Sequence, residues 1–202
     1  MNGMLNAANR NFRSIGGNFS NFHSSASPVN RVSEEIYSQQ AVDMPYTSMG
    51  GELAHATGAG PEFLLWAAKD PGSAWLQRVQ IVKGWVEDGA TRETVFDVGC
   101  ADGLNPDPRT HRCPDNGAAV SLETCEYDRH KGDGQIAVRW RDPGFNPEQP
   151  AFYYARVLEN PTCRWSTWDS LRTGLPLPEE VPATLQERAW TSPIWYRPPA
   201  AH

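Results

Sequence analysis

What most limits the fold of this chain is how its apolar runs are broken up. Gly and Pro, 17 of each in 202 residues, join Asp and Asn from Met44 onward in cutting every such run short. Proline removes a helical N–H and crowds the preceding turn, and glycine raises the entropy cost of any regular element. All-helical architectures are therefore set aside, and short strands joined by turns are expected.

The runs alternate as strands do. Along residues 76–86, Val79 and Ile81 share one side and Arg78 and Gln80 the other. Ile136, Val138 and Trp140 share a side of residues 136–140, and Tyr153, Ala155 and Val157 a side of residues 152–158. Residues 63–68, 94–98 and 189–196 complete six segments. Each can present one side to a core and a polar side to solvent. The expected fold is mainly β, an antiparallel sandwich or curled sheet with one short helix. That helix is placed at residues 166–172, with Ser166 as N-cap and Gly174 beyond its end. Residues 1–43, rich in Asn and Ser and without a period of 2 or 3.6, read as disordered, with a short helix at 32–39 as the alternative.

A net charge of −6 and a pI near 5.4 supply no attraction to nucleic acid or an anionic membrane surface, and neither is expected as a partner. No apolar run approaches the roughly 18 residues that cross a bilayer. Residues 1–20 lack the basic cluster, apolar stretch and small-residue cleavage site of an export signal. The cysteines argue the other way. Cys100, Cys113, Cys125 and Cys163 are an even set in the loop-rich second half, as in extracytoplasmic proteins with two disulfides. A lost N-terminal portion carrying the signal would reconcile the two.

Residues 99–134 hold Asp102, Asn105, Asp107, Asp115 and Asn116, oxygen ligands that suit calcium. Asp and Asn also make turns by bonding back to nearby amides, and that use is the expectation. Among the three possible disulfide patterns, Cys113–Cys125 with Cys100–Cys163 is preferred, because the first closes a short loop and the second ties its base to a strand. Zinc held by the same cysteines and His111 is the rival, without any Cys-x-x-Cys pair to support it. No Gly-x-Ser-x-Gly elbow is present, and neither a catalytic residue nor a metal site is assigned. The ligand-binding candidates are His111, Arg112 and Asp115, together with Arg164 and Trp165, a cation that can stack on its neighbouring ring. Trp140, Trp165, Trp168, Trp190 and Trp195 are expected to fill the core, with stacking on sugar rings as the rival use.

Several longer motifs carry a resemblance. They are Met-Gly-Gly-Glu-Leu at 49–53, Arg-Val-Gln-Ile-Val-Lys-Gly-Trp at 78–85, Thr-His-Arg-Cys-Pro-Asp-Asn-Gly at 110–117 and Arg-Asp-Pro-Gly-Phe at 141–145. The stretches at 152–169 and 187–196 add to them. Together, over about residues 44–196, they resemble the C-terminal part of a bacterial family known as domain of unknown function 3604. That family is similar to the polymerase and histidinol phosphatase superfamily, whose barrel holds divalent metals with His, Asp and Glu and hydrolyses phosphoesters. The resemblance implies a periplasmic or secreted parent that uses divalent metals and ends in a β-rich appendage. This chain contains no His-x-His, so the superfamily's metal ligands are not carried over and no cofactor is expected here.

The resulting organisation is residues 1–43 unlike the family, 44–197 the β-rich segment and 198–202 a tail. The expected function is that of a C-terminal fragment without catalytic activity, truncated or split from its parent. Its apolar faces would meet the missing barrel or another copy of the chain. The alternative is a self-contained secreted module that binds carbohydrate or another ligand through surface Trp. A third reading is a hydrolase using His111, Asp115 and Arg112.

Overall fold

A computed structural model describes residues 47, 49–53 and 60–198. The readings made for residues 1–43 lie outside the described residues. The elements in chain order are β1 (Glu52–Leu53), β2 (Glu62–Ala68), β3 (Leu76–Glu87), β4 (Ala90–Cys100), β5 (Gln135–Arg141), β6 (Ala151–Glu159), β7 (Thr162–Cys163), α1 (Trp165–Thr173), β8 (Thr184–Leu185), β9 (Arg188–Trp190) and β10 (Ile194–Tyr196). The main sheet runs β1-β10-β6-β3-β4, with β9 also paired to β6, and β2 and β5 form a separate two-stranded ribbon. Among the described strand pairs, β1 on β10 is parallel and the others are antiparallel.

The long β3–β4 hairpin closes through Asp88 and Gly89, both at positive φ, the geometry that matches a two-residue turn to the twist of its strands. Alternation then builds the core. Val79, Ile81, Phe96, Val98, Tyr153, Ala155, Val157, Ile194 and Tyr196 come from one face of the main sheet, and Phe63, Leu65, Ala67 and Ile136 from the ribbon. The chain is mainly β, as the alternation indicates.

Three local expectations need correction. The run at 189–196 is two strands, because Thr191 and Pro193 interrupt the ladder on β6. The Thr191 side-chain oxygen accepts from the Ala155 N–H at 2.9 Å, taking the place of a backbone carbonyl. The side of β3 carrying Gln80 is not solvated: Gln80 is buried, as is everything from Val79 to Gly84. The helix begins one residue early, so its N-cap is Arg164 and Ser166 lies inside the first turn. The Thr167 and Trp168 amides bond to the Arg164 carbonyl, and no side chain caps that end. Gly174 does close the helix, at φ 70°.

The disulfide pattern is also corrected. The bridges are Cys100–Cys113 and Cys125–Cys163, with Cα separations of 5.7 and 5.5 Å. The buried Asp97 carboxylate accepts from the Cys113 N–H at 2.7 Å, which sets Cys113 beside the end of β4. A turn from Ser121 to Cys125, held by a bond between their backbones, carries Cys125 to Cys163 on β7. All four thiols are thereby spent, which removes the zinc reading that needed them. Paired cysteines suit an oxidising compartment. Among the described residues, no helix is long and apolar enough to cross a membrane.

Candidate functional site

The face of the main sheet turned away from the core carries most of the unspent chemistry. Strand registers set its side chains in rows. Gly84, Phe152 and Trp195 form one row, Val82 and Tyr154 the next, then Asp97, Gln80, Arg156 and Trp190, and finally Arg78, Leu158 and Arg188. Successive rows lie roughly 7 Å apart along β6, the repeat of alternate strand residues. One end is therefore aromatic and the other cationic. At the aromatic end, Phe152 stands 5.4 Å from Trp195 and is near-parallel to Tyr154 at 6.4 Å.

The cationic end is organised by Asp97, whose carboxylate is wholly out of solvent. It accepts from Gln80 Nε2 at 2.5 Å and from the Cys113 amide, with Arg112 at 3.6 Å and Arg78 at 3.9 Å. Arg156 Nε donates to Gln80 Oε1 at 2.7 Å. Beside this cluster opens a cleft of about 600 Å³ lined by Gln77, Arg78, Asp115, Thr184, Gln186 and Arg188, among others. Its amides are fixed in a relay. Gln186 Nε2 donates to Gln77 Oε1 at 2.9 Å and to the Glu159 carbonyl, and Gln77 Nε2 donates to Asn116 Oδ1. Asn116 in turn donates to Asp102 and Asn160.

The residues singled out from sequence do not converge. His111, at φ 55°, tilts its ring against Phe96 on the core side of β4, while Arg112 turns to Asp97 on the opposite side. Asp115 lines the cleft and accepts from the Gly117 amide at 3.0 Å. Arg164 and Trp165 sit at the start of α1 outside the cleft lining. Among the described residues, the cation over a helix indole is Arg172 on Trp168, not Arg164 on Trp165. Asp107 caps a turn, and the Thr110 and Arg109 amides hold its carboxyl below the usual carboxylate range. Asp107 and Asp115 thus make turns, whereas Asp102 accepts from the Gly132 amide across the loop. Among the described residues, no group of three His, Cys, Asp or Glu stands close enough to hold a metal.

Expecting Trp in the core was wrong for four of the five. Trp165, Trp168, Trp190 and Trp195 are 68%, 40%, 46% and 45% exposed. Trp140 packs on Phe63 and Phe96 as expected. The reasons are local: α1 buries only Thr167, Trp190 alternates with buried Ala189, and Trp195 lies between buried Ile194 and Tyr196. Arg78, Arg188, Gln77 and Gln186 were missed. The pairing of Ala189 with two polar-tipped neighbours, Arg188 and Trp190, was the only local signal for one of them.

Fold and site together define a disulfide-bridged β protein whose reverse sheet face carries an aromatic strip at one end and an open polar cleft at the other. A family model described as protein of unknown function (DUF3604) matches residues 21–198, and the chain belongs to that family. The match begins ahead of Met44, where the recognisable motifs start. No curated protein and no solved structure matches the chain.

Proposed function

We propose that this chain is a non-catalytic, β-rich C-terminal part of a protein resembling the metal-dependent phosphoesterases, working outside the cytoplasm. The observation that carries the reading is the use of Asp97, Asp107, Asp115 and His111 in architecture. Asp97 is buried under four polar partners, Asp107 and Asp115 cap turns, and the His111 ring packs on Phe96. A general base must reach a substrate proton; the buried Asp97 does not, and the His111 ring and Arg112 turn to opposite sides of β4 and so form no shared site with Asp115. The test is turnover of p-nitrophenyl phosphate and bis(p-nitrophenyl) phosphate by the purified chain with Mn²⁺ or Zn²⁺. Rates equal to metal alone are expected. Sustained turnover that disappears in His111→Ala would overturn the proposal and favour the hydrolase reading.

A second reading is favoured by the exposed indoles: the chain binds carbohydrate through its surface Trp. An indole with about half its surface in water presents an apolar face to a sugar ring and an N–H to a hydroxyl. Quenching or shifting of intrinsic Trp fluorescence by oligosaccharides, lost in Trp195→Ala with Trp190→Ala, is the expected result. No response across neutral and acidic oligosaccharides would remove this reading.

A further inference from the structure

Deepening the carbohydrate reading, on which it rests, we propose that the reverse face of the main sheet binds an acidic carbohydrate. Sugar rings lie on Trp190 and the Phe152–Trp195 strip, and the sugar's anionic group is received by Arg78 and Arg188.

The placement follows from strand alternation. Arg188 and Trp190 flank Ala189, which is 1% exposed and faces the core, so both project from the reverse face of β9. They stand roughly 7 Å apart along the strand, a spacing that lets a ring and a neighbouring carboxylate on one oligosaccharide engage both. Phe152 and Trp195 continue the apolar surface two rows further along β6.

Arg78 and Arg188 both line the cleft, and Arg78, its side chain 26% exposed, is only loosely paired. Arg78 Nε is buried without a hydrogen-bond partner among the described residues. Its other contact is Asp97 at 3.9 Å, and that carboxylate already accepts two shorter bonds. A guanidinium offers five donors in a planar fork suited to a carboxylate or sulfate. The chain as a whole carries −6, so this concentration of arginine is a local feature and not part of a generally basic surface.

The rest of the lining favours a sugar over a nucleic acid. Gln77, Gln186, Thr184 and Asp115 offer amide, hydroxyl and carboxylate groups to hydroxyls. The lining holds two cations, Arg78 and Arg188, enough for one anionic group but few for the run of phosphates along a nucleic acid. Two disulfides suit an oxidising compartment, the kind in which extracellular polysaccharide is met.

The experiment uses the full chain and calorimetry. The acidic probes are hexamers of oligogalacturonate and oligomannuronate and a heparin hexasaccharide, which separate carboxylate from sulfate. Methyl-esterified oligogalacturonate and cellohexaose are the neutral comparisons, and oligo-dT is the nucleic-acid comparison. At least one acidic probe is expected to bind about tenfold or more tightly than its neutral counterpart, as the gain of a charge-assisted pair implies, and to weaken with added salt. Arg188→Ala should lose that preference while keeping neutral affinity, Trp190→Ala should weaken both, and Arg92→Ala, on the exposed hairpin arm, should change neither. Equal affinity for acidic and neutral probes overturns the proposal and leaves carbohydrate binding standing. No binding to any sugar overturns both, and binding of oligo-dT alone overturns both in favour of nucleic acid.

Discussion

Lys83 Nζ lies 2.6 Å from Asp142 Oδ2, with 6% of one side chain and none of the other in solvent. Lys83 belongs to the main sheet and Asp142 follows the last residue of β5, so the pair fastens the ribbon to the sheet. Tyr153 Oη donates to the same Asp142 oxygen at 2.8 Å, and Lys83 also donates to the Gly144 carbonyl at 2.8 Å. Burial first, and then the Asp142 charge, pushes the Tyr153 hydroxyl far above the ordinary tyrosine range, keeping it a donor. The Arg-Asp-Pro-Gly-Phe motif is thus an architectural clamp. Asp142→Ala should cost about 3–5 kcal/mol, because it strands a buried ammonium. Adding Lys83→Met should recover part of that loss. Guanidinium unfolding of the single and double variants checks both, and equal stability of the two variants would refute the coupling.

The two disulfides should differ in weight. Cys125–Cys163 spans 38 residues of chain and Cys100–Cys113 spans 13. On the chain-entropy account they contribute about 4 and about 3 kcal/mol. Replacing each pair by serine and comparing unfolding midpoints should rank them in that order. A non-reducing digest should recover peptides joined in this pattern, and a Cys113–Cys125 peptide would contradict the fold of the loop.

How legible all this was from the sequence depended on distance along the chain. The six β segments could be read because alternation is written in neighbouring residues, as in Val79, Gln80 and Ile81. Whether the Gln80 side meets water depends on residues 107–113 folding back over β4, which no local pattern records. The cysteine partners follow from the same return of the loop. The cleft draws Gln77 and Arg78 from β3, Asp115 from the loop, Gln186 from the β8–β9 connection and Arg188 from β9, so nothing local announces it. The Trp residues misled because large apolar area is a reason for burial only where a partner surface exists, and α1 and the short β9 and β10 offer none on their outer sides.

Stability should fall as pH rises through the range just above that of an ordinary carboxylate. Glu159 is fully buried, with Ser73 Oγ donating to one oxygen and the other without a partner among the described residues. Burial raises its pKa, an effect that the Ser73 bond and the Lys69 charge only partly offset. The folded chain therefore binds more protons than the unfolded chain between the unfolded and folded values, and stability declines with pH across that window. Asp133, raised by burial and by the charge of Asp102, adds the same sign. Glu159→Gln should flatten the decline and be no less stable than the parent at pH 7. Urea midpoints between pH 4 and 8 decide it, and a Glu159-dependent rise in stability with pH would contradict the sign.

Gly132 is the residue that lets the base of the loop approach β3. Its φ is 91°, and a Cβ there would stand 2.6 Å from Trp75 Cβ and 2.7 Å from the Leu76 carbonyl oxygen. Its amide donates to both carboxylate oxygens of Asp102 at 2.9 Å, and Asp102 holds Asn116 in the relay that orders Gln77 and Gln186. A side chain at this position meets backbone, which cannot swing aside as a rotamer can, and the positive φ adds strain of its own. Gly132→Ala should therefore cost about 2 kcal/mol or more and loosen the cleft floor as well as the fold. Thermal melting together with hydrogen exchange at the Gly132 and Gly117 amides provides the check. An unchanged melting temperature with unchanged protection would mean that the loop base tolerates the extra atom and does not set the cleft.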